Sequence, residues 1–121
     1  MNEHSFIQSV HRKLAKEVYV WKINAAFQNG VPDAYYSGPT GDLWIEYKYG
    51  TSHETSALQQ LWLTERNKEG RTCWLVWGKS PNEVAVFKGP DYPKRLPKDA
   101  QVITKAQLIS DILQHCKAPR P

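Results

Sequence analysis

The sequence predicts an α/β protein, a mixed central β-sheet flanked by helices, in one domain spanning residues 1–121. Three observations carry that expectation. Apolar residues recur at helical spacing in three stretches. β-Branched and aromatic runs too short for helices lie between them, and clusters rich in Gly, Pro and Asn separate the runs. The resulting order is α-β-β-β-α-β-β-α.

The first helical stretch is 4–16, where Ile7, Val10 and Leu14 share one face and Glu3 extends that stripe by a turn. Val18-Tyr19-Val20-Trp21 reads as a strand. Asn29-Gly30 and Pro32 mark a turn, and Asp33-Ala34-Tyr35-Tyr36 is a short strand after it. The Gly- and Pro-dense cluster from Ser37 to Asp42 leads into Leu43-Trp44-Ile45-Glu46-Tyr47-Lys48-Tyr49, so the two strands read as a hairpin. Residues 50–54 are expected to form a loop. Thr55 or Ser56 caps the next helix, which carries Leu58, Leu61, Trp62 and Glu65 on one side and ends at Gly70. Residues 71–77 are almost continuously apolar, the pattern of a strand covered on both faces. Ser80-Pro81-Asn82 turns into its antiparallel neighbour over 83–88. A loop with three prolines spans 89–98, and Thr104 caps a last helix built on Leu108, Ile109, Ile112 and Leu113. The tail from Lys117 to Pro121 reads as mobile.

Composition narrows the class of function. A chain of 121 residues buries roughly two thirds of its unfolded surface, and five Trp add bulk to so small a core. A net charge of +4 and a pI near 9.1 tilt mildly towards a polyanionic partner. Cys73 and Cys116 belong to no Cys-x-x-Cys pair, which excludes a zinc knuckle or a redox motif and leaves two reduced thiols. No basic segment precedes an apolar one at the N-terminus, and no run is long enough to cross a bilayer. A soluble, cytoplasmic protein without a membrane partner or a small-molecule cofactor is expected.

The chemically informative stretch is Gly30-Val31-Pro32-Asp33, followed thirteen positions later by Glu46-Tyr47-Lys48. Strand side chains alternate, so Glu46 and Lys48 share a face while Ile45 and Tyr47 point into the core. A hairpin ending at Asp33 brings its carboxylate beside Glu46. Two adjacent carboxylates repel, and a hard divalent cation such as Mg²⁺ or Mn²⁺ relieves the repulsion. Such a cation activates water against a phosphodiester, and Lys48 can orient that water or stabilise charge developing on phosphorus. Taken alone, Glu-x-Lys is ordinarily a solvated cross-strand pair and Pro-Asp a turn dipeptide. Joined on one hairpin they are far more specific.

At these residues the chain resembles the PD-(D/E)XK nuclease superfamily, over about Glu3 to Trp77, and within it the VRR-Nuc type and small archaeal and phage Holliday junction resolvases. The resemblance implies a restriction-endonuclease-like fold with an α-β-β-β-α-β core. It implies a Mg-dependent endodeoxyribonuclease with Asp33, Glu46 and Lys48 as catalytic core and one or two Mg²⁺ ions, for which Mn²⁺ substitutes. The Tyr47 carbonyl would be a further metal ligand. Glu3 would complete the metal site from the first helix, with His4 the lesser candidate; the competing reading of Glu3 is a first-turn acid that stabilises the helix dipole. Gln8 stands where VRR-Nuc proteins carry a Gln. Ser56 and Gln59-Gln60-Leu61-Trp62-Leu63 match their Ser and Gln helix, which implies that Gln59 approaches the active site. Lys22-Ile23-Asn24 stands where relatives show Arg-x-Asn, and Lys lacks the bidentate phosphate geometry of Arg. The 81–121 segment matches no motif.

Lys13, Lys16, Lys22, Lys48, Lys94, Arg95 and Lys98 are candidate phosphate-backbone contacts, which position DNA without reading sequence. No base-reading motif is visible, so recognition of branched or structured DNA by shape is expected. A homodimer suits a junction with two symmetric strands, with Tyr35, Tyr36 or Trp44 at its interface. Compact lone nucleases of this kind suit a phage or mobile element, and a phage origin would place the protein in the host cytoplasm. The alternatives are a non-cleaving nucleic-acid-binding module on the same fold, and a scaffold in which the hairpin is only structural.

Overall fold

The computed structural model describes residues 1–24 and 30–117. Its elements follow the expected order: α1 (Glu3–Leu14), β1 (Tyr19–Lys22), β2 (Ala34–Gly38), β3 (Gly41–Tyr49), α2 (Ala57–Lys68), β4 (Cys73–Ser80), β5 (Glu83–Phe87) and α3 (Lys105–Cys116). The five strands lie side by side in sequence order. β1, β2 and β3 form an antiparallel meander, β3 and β4 are parallel across the α2 crossover, and β5 returns antiparallel to β4.

Alternation along β3 divides the molecule into two layers. Leu43, Ile45 and Tyr47 point towards α1 and α3, where they join Phe6, Val10, Leu14, Leu108 and Ile112 in the larger core. On the opposite face Cys73, Leu75 and Trp77 of β4 pack with Leu63 of α2 and Tyr92 in a second core. β4 is buried from Cys73 to Gly78, as its unbroken apolar run requires. Cys73 and Cys116 are free and buried.

The caps explain where the helices begin. The Asn2 and Ser5 side chains exchange hydrogen bonds with each other's backbone at α1, Ser56 and Gln59 do so at α2, and Thr104 caps α3. Of the two candidates for the α2 cap, Ser56 takes the role. Thr55 is buried instead, and its hydroxyl donates to the Pro93 carbonyl.

Two expectations need correction. α2 does not bury the side carrying Leu58, Leu61 and Glu65. Leu58 is 49% and Leu61 54% exposed, and Leu63 is the residue that goes inside. The helix lies over β4 with Leu63 turned to the sheet, and Leu58 and Leu61 face outwards. Tyr36, taken as a possible interface residue, is fully buried on the α1 side. Asn29 and the tail after Lys117 lie outside the described residues. Among those described, no helix is long and apolar enough to cross a membrane.

The hairpin tip docks on the end of α3. The Thr40 amide donates to the Cys116 carbonyl at 3.0 Å, the Thr40 hydroxyl to the His115 carbonyl at 3.0 Å, and His115 Nε2 lies 2.7 Å from the Asp42 carbonyl. These contacts satisfy carbonyls that a helix end leaves open. Gly38 is required by the close approach, since a β-carbon there would collide with the Cys116 carbonyl. Gly38→Ala is accordingly expected to lower stability by about 1–3 kcal/mol, read as a fall in the denaturant midpoint.

Candidate active site

Hairpin register decides where the acidic groups go. Ala34 pairs with Ile45, so Asp33 follows opposite Glu46. Asp33 is held twice: its carbonyl accepts from the Ile23 amide at 2.8 Å, and its Oδ2 accepts from the Tyr47 amide at 2.8 Å. Its Oδ1 lies 3.8 Å from Lys22 Nζ.

Glu46 projects from β3 towards α2 and is only 3% exposed. Its Oε2 accepts from Gln59 Nε2 at 3.0 Å and lies 3.5 Å from Lys48 Nζ. Its Oε1 is buried without a hydrogen-bond partner among the described residues. Burial pushes the Glu46 carboxyl up to about 9, and the neighbouring Asp33 charge adds to the rise, with Lys48 opposing it. Glu3, in the first turn of α1, is also raised, first by burial and then by Asp33; Lys48, His53 and Lys22 oppose that shift. Three carboxylates and two lysines therefore share one electrostatic neighbourhood.

Gln59 carries two duties. Its Oε1 accepts from the Ser56 amide at 2.9 Å within the capping box, which leaves its amide nitrogen for Glu46. The cap thus sets which end of the amide meets the carboxylate.

Beneath this face a second polar chain crosses the larger core. His11 Nε2 lies 2.7 Å from the Tyr36 hydroxyl, which lies 2.5 Å from that of Tyr47. Burial lowers His11 to about 4, with Lys22 adding to the fall, so its imidazole is neutral near neutral pH. Burial raises the Tyr36 and Tyr47 hydroxyls. Periodicity gave no warning of these pairings, which join α1, β2 and β3.

The remaining sequence candidates fall into two groups. Lys22 sits at the site, beside Asp33. Lys94 and Arg95 are exposed and both pair with Glu54, on the loop just before α2. Lys13 stands in the last turn of α1, roughly 15 Å from Glu3 along the helix, Lys16 lies just past the helix end, and the structure does not bring them to the carboxylates. Lys98, Gln8 and His4 are exposed. His53, which the sequence did not single out, lines a cleft with Glu3 and Lys48.

Aromatic rings continue the same face away from the carboxylates. Trp21 and Tyr35 have centroids 6.5 Å apart, Tyr35 and Trp44 4.5 Å, Trp44 and Trp62 5.2 Å, and the Arg66 guanidinium lies 5.6 Å from the Trp62 ring. Trp21, on the edge strand, is 47% exposed.

No family model matches the sequence, and no curated protein sequence matches it. Among solved structures the chain is similar to Hjc, a Holliday junction resolvase from the archaeal hyperthermophile Archaeoglobus fulgidus. The TM-score is 0.64 at 14% identity, covering 88% of this chain and 98% of that one. The fold is restriction-endonuclease-like. At that identity the likeness speaks for architecture alone. Within this restriction-endonuclease-like sheet, the residues that a divalent cation would need are Asp33 and Glu46. They fit one, because a buried carboxylate oxygen lacks a partner and a second carboxylate raises its pKa. No group of three His, Cys, Asp or Glu side chains among the described residues forms a metal cluster by itself. Such a pair leaves coordination places to water and backbone, the habit of Mg²⁺.

Between the ordinary 4.5 and about 9, Glu46 holds a proton only when folded, so rising pH through this window removes stability from the metal-free protein. Glu46→Gln keeps an acceptor for Gln59 and can turn a donor towards Asp33. It is expected to raise Tm, by more at about pH 8 than at about pH 5. Thermal melts by circular dichroism would refute this if the gain were independent of pH.

Proposed function

We propose that this chain is a metal-dependent endonuclease that hydrolyses phosphodiester bonds in branched DNA, with four-way junctions as the preferred class. The observation that carries the reading is Glu46: a buried carboxylate with one oxygen unanswered, opposite Asp33 and beside Lys48. A sheet does not retain such a group for stability, since an unpaired buried polar atom costs free energy. The likeness in fold to a Holliday junction resolvase supports the choice of substrate.

On this reading Asp33 and Glu46 hold Mg²⁺, or Mn²⁺ in its place, with the Tyr47 carbonyl and Glu3 completing the set. The bound cation supplies a polarised phosphate and a more acidic water. Lys48 stabilises charge developing on phosphorus or orients the attacking water. Gln59 keeps Glu46 turned towards the cation, and the Tyr47 amide does the same for Asp33. Lys22 is close enough to meet a phosphate at the Asp33 side. Lys94 and Arg95 offer backbone contacts beside the α2 entrance, whereas Lys13 and Lys16 would serve only a duplex that extends along α1. A homodimer through the partly exposed aromatic strip of Trp21, Tyr35, Trp44 and Trp62 would present two sites to two strands.

The test is a panel of labelled substrates, from single strand through duplex and flap to a four-way junction, incubated with Mg²⁺ or with EDTA. Paired symmetric cuts in the junction, absent with EDTA, are expected. Asp33→Asn and Glu46→Gln should reduce cutting to background, and Lys48→Met should lower kcat by about 10²-fold or more. Binding of every substrate without metal-dependent cuts would replace this reading with that of a non-cleaving binding module.

Gln59 gives a finer prediction. Gln59→Glu retains the capping acceptor but sets a carboxylate against Glu46, so helix content should persist while activity falls about 10–100-fold. Gln59→Ala should lose both. Comparing far-ultraviolet dichroism with cleavage rate separates the two duties; parallel losses in both variants would refute a separate role in aiming Glu46.

A further inference from the structure

Past Lys48 the site opens into a cleft of ≈ 630 Å³ lined by Met1, Asn2, Glu3, Tyr49, Gly50 and His53. Glu3 and Lys48 belong to the carboxylate neighbourhood, so the cleft begins at the site and leads away from it. Its size falls within the roughly 300–1,000 Å³ of small-ligand clefts, room for one nucleotide. Lys48 is already engaged with Glu46. The His53 ring makes no hydrogen bond or ion pair with another described residue, and it is exposed. It is close enough to Glu3 to act on its charge.

An exposed histidine is usually a solvated surface residue, but the loop that bears this one is pinned at both ends. The Gly50 amide donates to the Gly78 carbonyl at 2.8 Å, and the Gly50 carbonyl accepts from Trp77 Nε1 at 2.8 Å. At the other end the Thr55 amide donates to the Lys94 carbonyl at 2.7 Å, and Glu54 pairs with both Lys94 and Arg95. Gly50 has φ +90°, a conformation that L side chains rarely adopt, and the His53 ring lies 3.4 Å from the place its β-carbon would occupy. The turn therefore holds the backbone that carries His53 at the rim of the cleft.

We propose that this cleft is a subsite for the nucleotide next to the cut, and that His53 binds the backbone phosphate flanking the scissile one. The inference rests on the nuclease reading. His53 donates a hydrogen bond to a non-bridging oxygen and fixes the strand so that the scissile phosphate meets the carboxylates. No bond is made or broken at His53, so it is a substrate-binding residue whose loss acts on affinity before turnover.

The experiment uses the full chain, Mg²⁺ and a four-way junction carrying single neutral methylphosphonates, placed in turn at each phosphate around the cut. For the wild type, neutralising the phosphate that flanks the cut on the His53 side should raise KM about tenfold. His53→Ala should raise KM by a similar factor with kcat within about twofold, and should be indifferent to that methylphosphonate. His53→Lys, which restores a donor, should recover much of the loss. Cutting by the wild type with His53→Ala unchanged would overturn the inference alone, as would equal sensitivity of both proteins to every methylphosphonate. Absence of cutting by the wild type would overturn the nuclease reading and the subsite with it.

Discussion

A carboxylate inside a protein must be paired, protonated or bound to a cation, because the low-dielectric interior does not tolerate it otherwise. Glu46 is in that position. One of its oxygens is met by the Gln59 amide and approached by Lys48, while the other has no hydrogen-bond partner among the described residues and the carboxyl feels the charge of Asp33. Most of the surrounding architecture answers this single demand. The antiparallel β2–β3 register brings Asp33 opposite, the parallel β3–β4 pairing carries α2 across the same face, and the α2 cap delivers Gln59. Two apolar cores, one on either side of the sheet, hold the strands that carry it.

The two faces of β3 divide the labour. Residues 43, 45 and 47 hold the strand down on α1 and α3, while 44, 46 and 48 look towards α2. Tyr47 serves both: its hydroxyl ends the buried chain from His11, and its amide fixes Asp33. A residue that looks purely structural from its burial thus sets the aim of a carboxylate on the opposite face. Neutral His11 at the head of the chain leaves the two phenols without a buried charge to compensate.

Much of this was legible from residue pattern because the informative signals were local. Alternation placed Glu46 and Lys48 together, the Gly and Pro cluster set the hairpin, and the apolar run marked β4. Ser56 was one of two candidate caps for α2, and its pairing with Gln59 emerged only in the structure. What was hidden depends on how distant segments cross. Lys22 reaches Asp33 only because β1 lies beside β2, and no pattern within β1 announces it. The buried side of α2 was missed because its apolar residues are spread around the helix, with Leu58 and Leu61 left exposed and Leu63 turned inwards. His53 lies in a loop, where neither periodicity nor a motif distinguishes a residue held over a cleft from one in solvent.

The docking of the hairpin on α3 reaches further than helix capping. Thr40 and His115 are separated by 75 positions in the chain, and their contact ties the turn between β2 and β3 to an element on the other side of the larger core. Those two strands carry Asp33 and Glu46 at their opposite end. A lesion in the final turn of the last helix, remote from every acidic group, would therefore act as a lever: freeing the tip loosens the ribbon, and the gap between the two acids widens without either being touched.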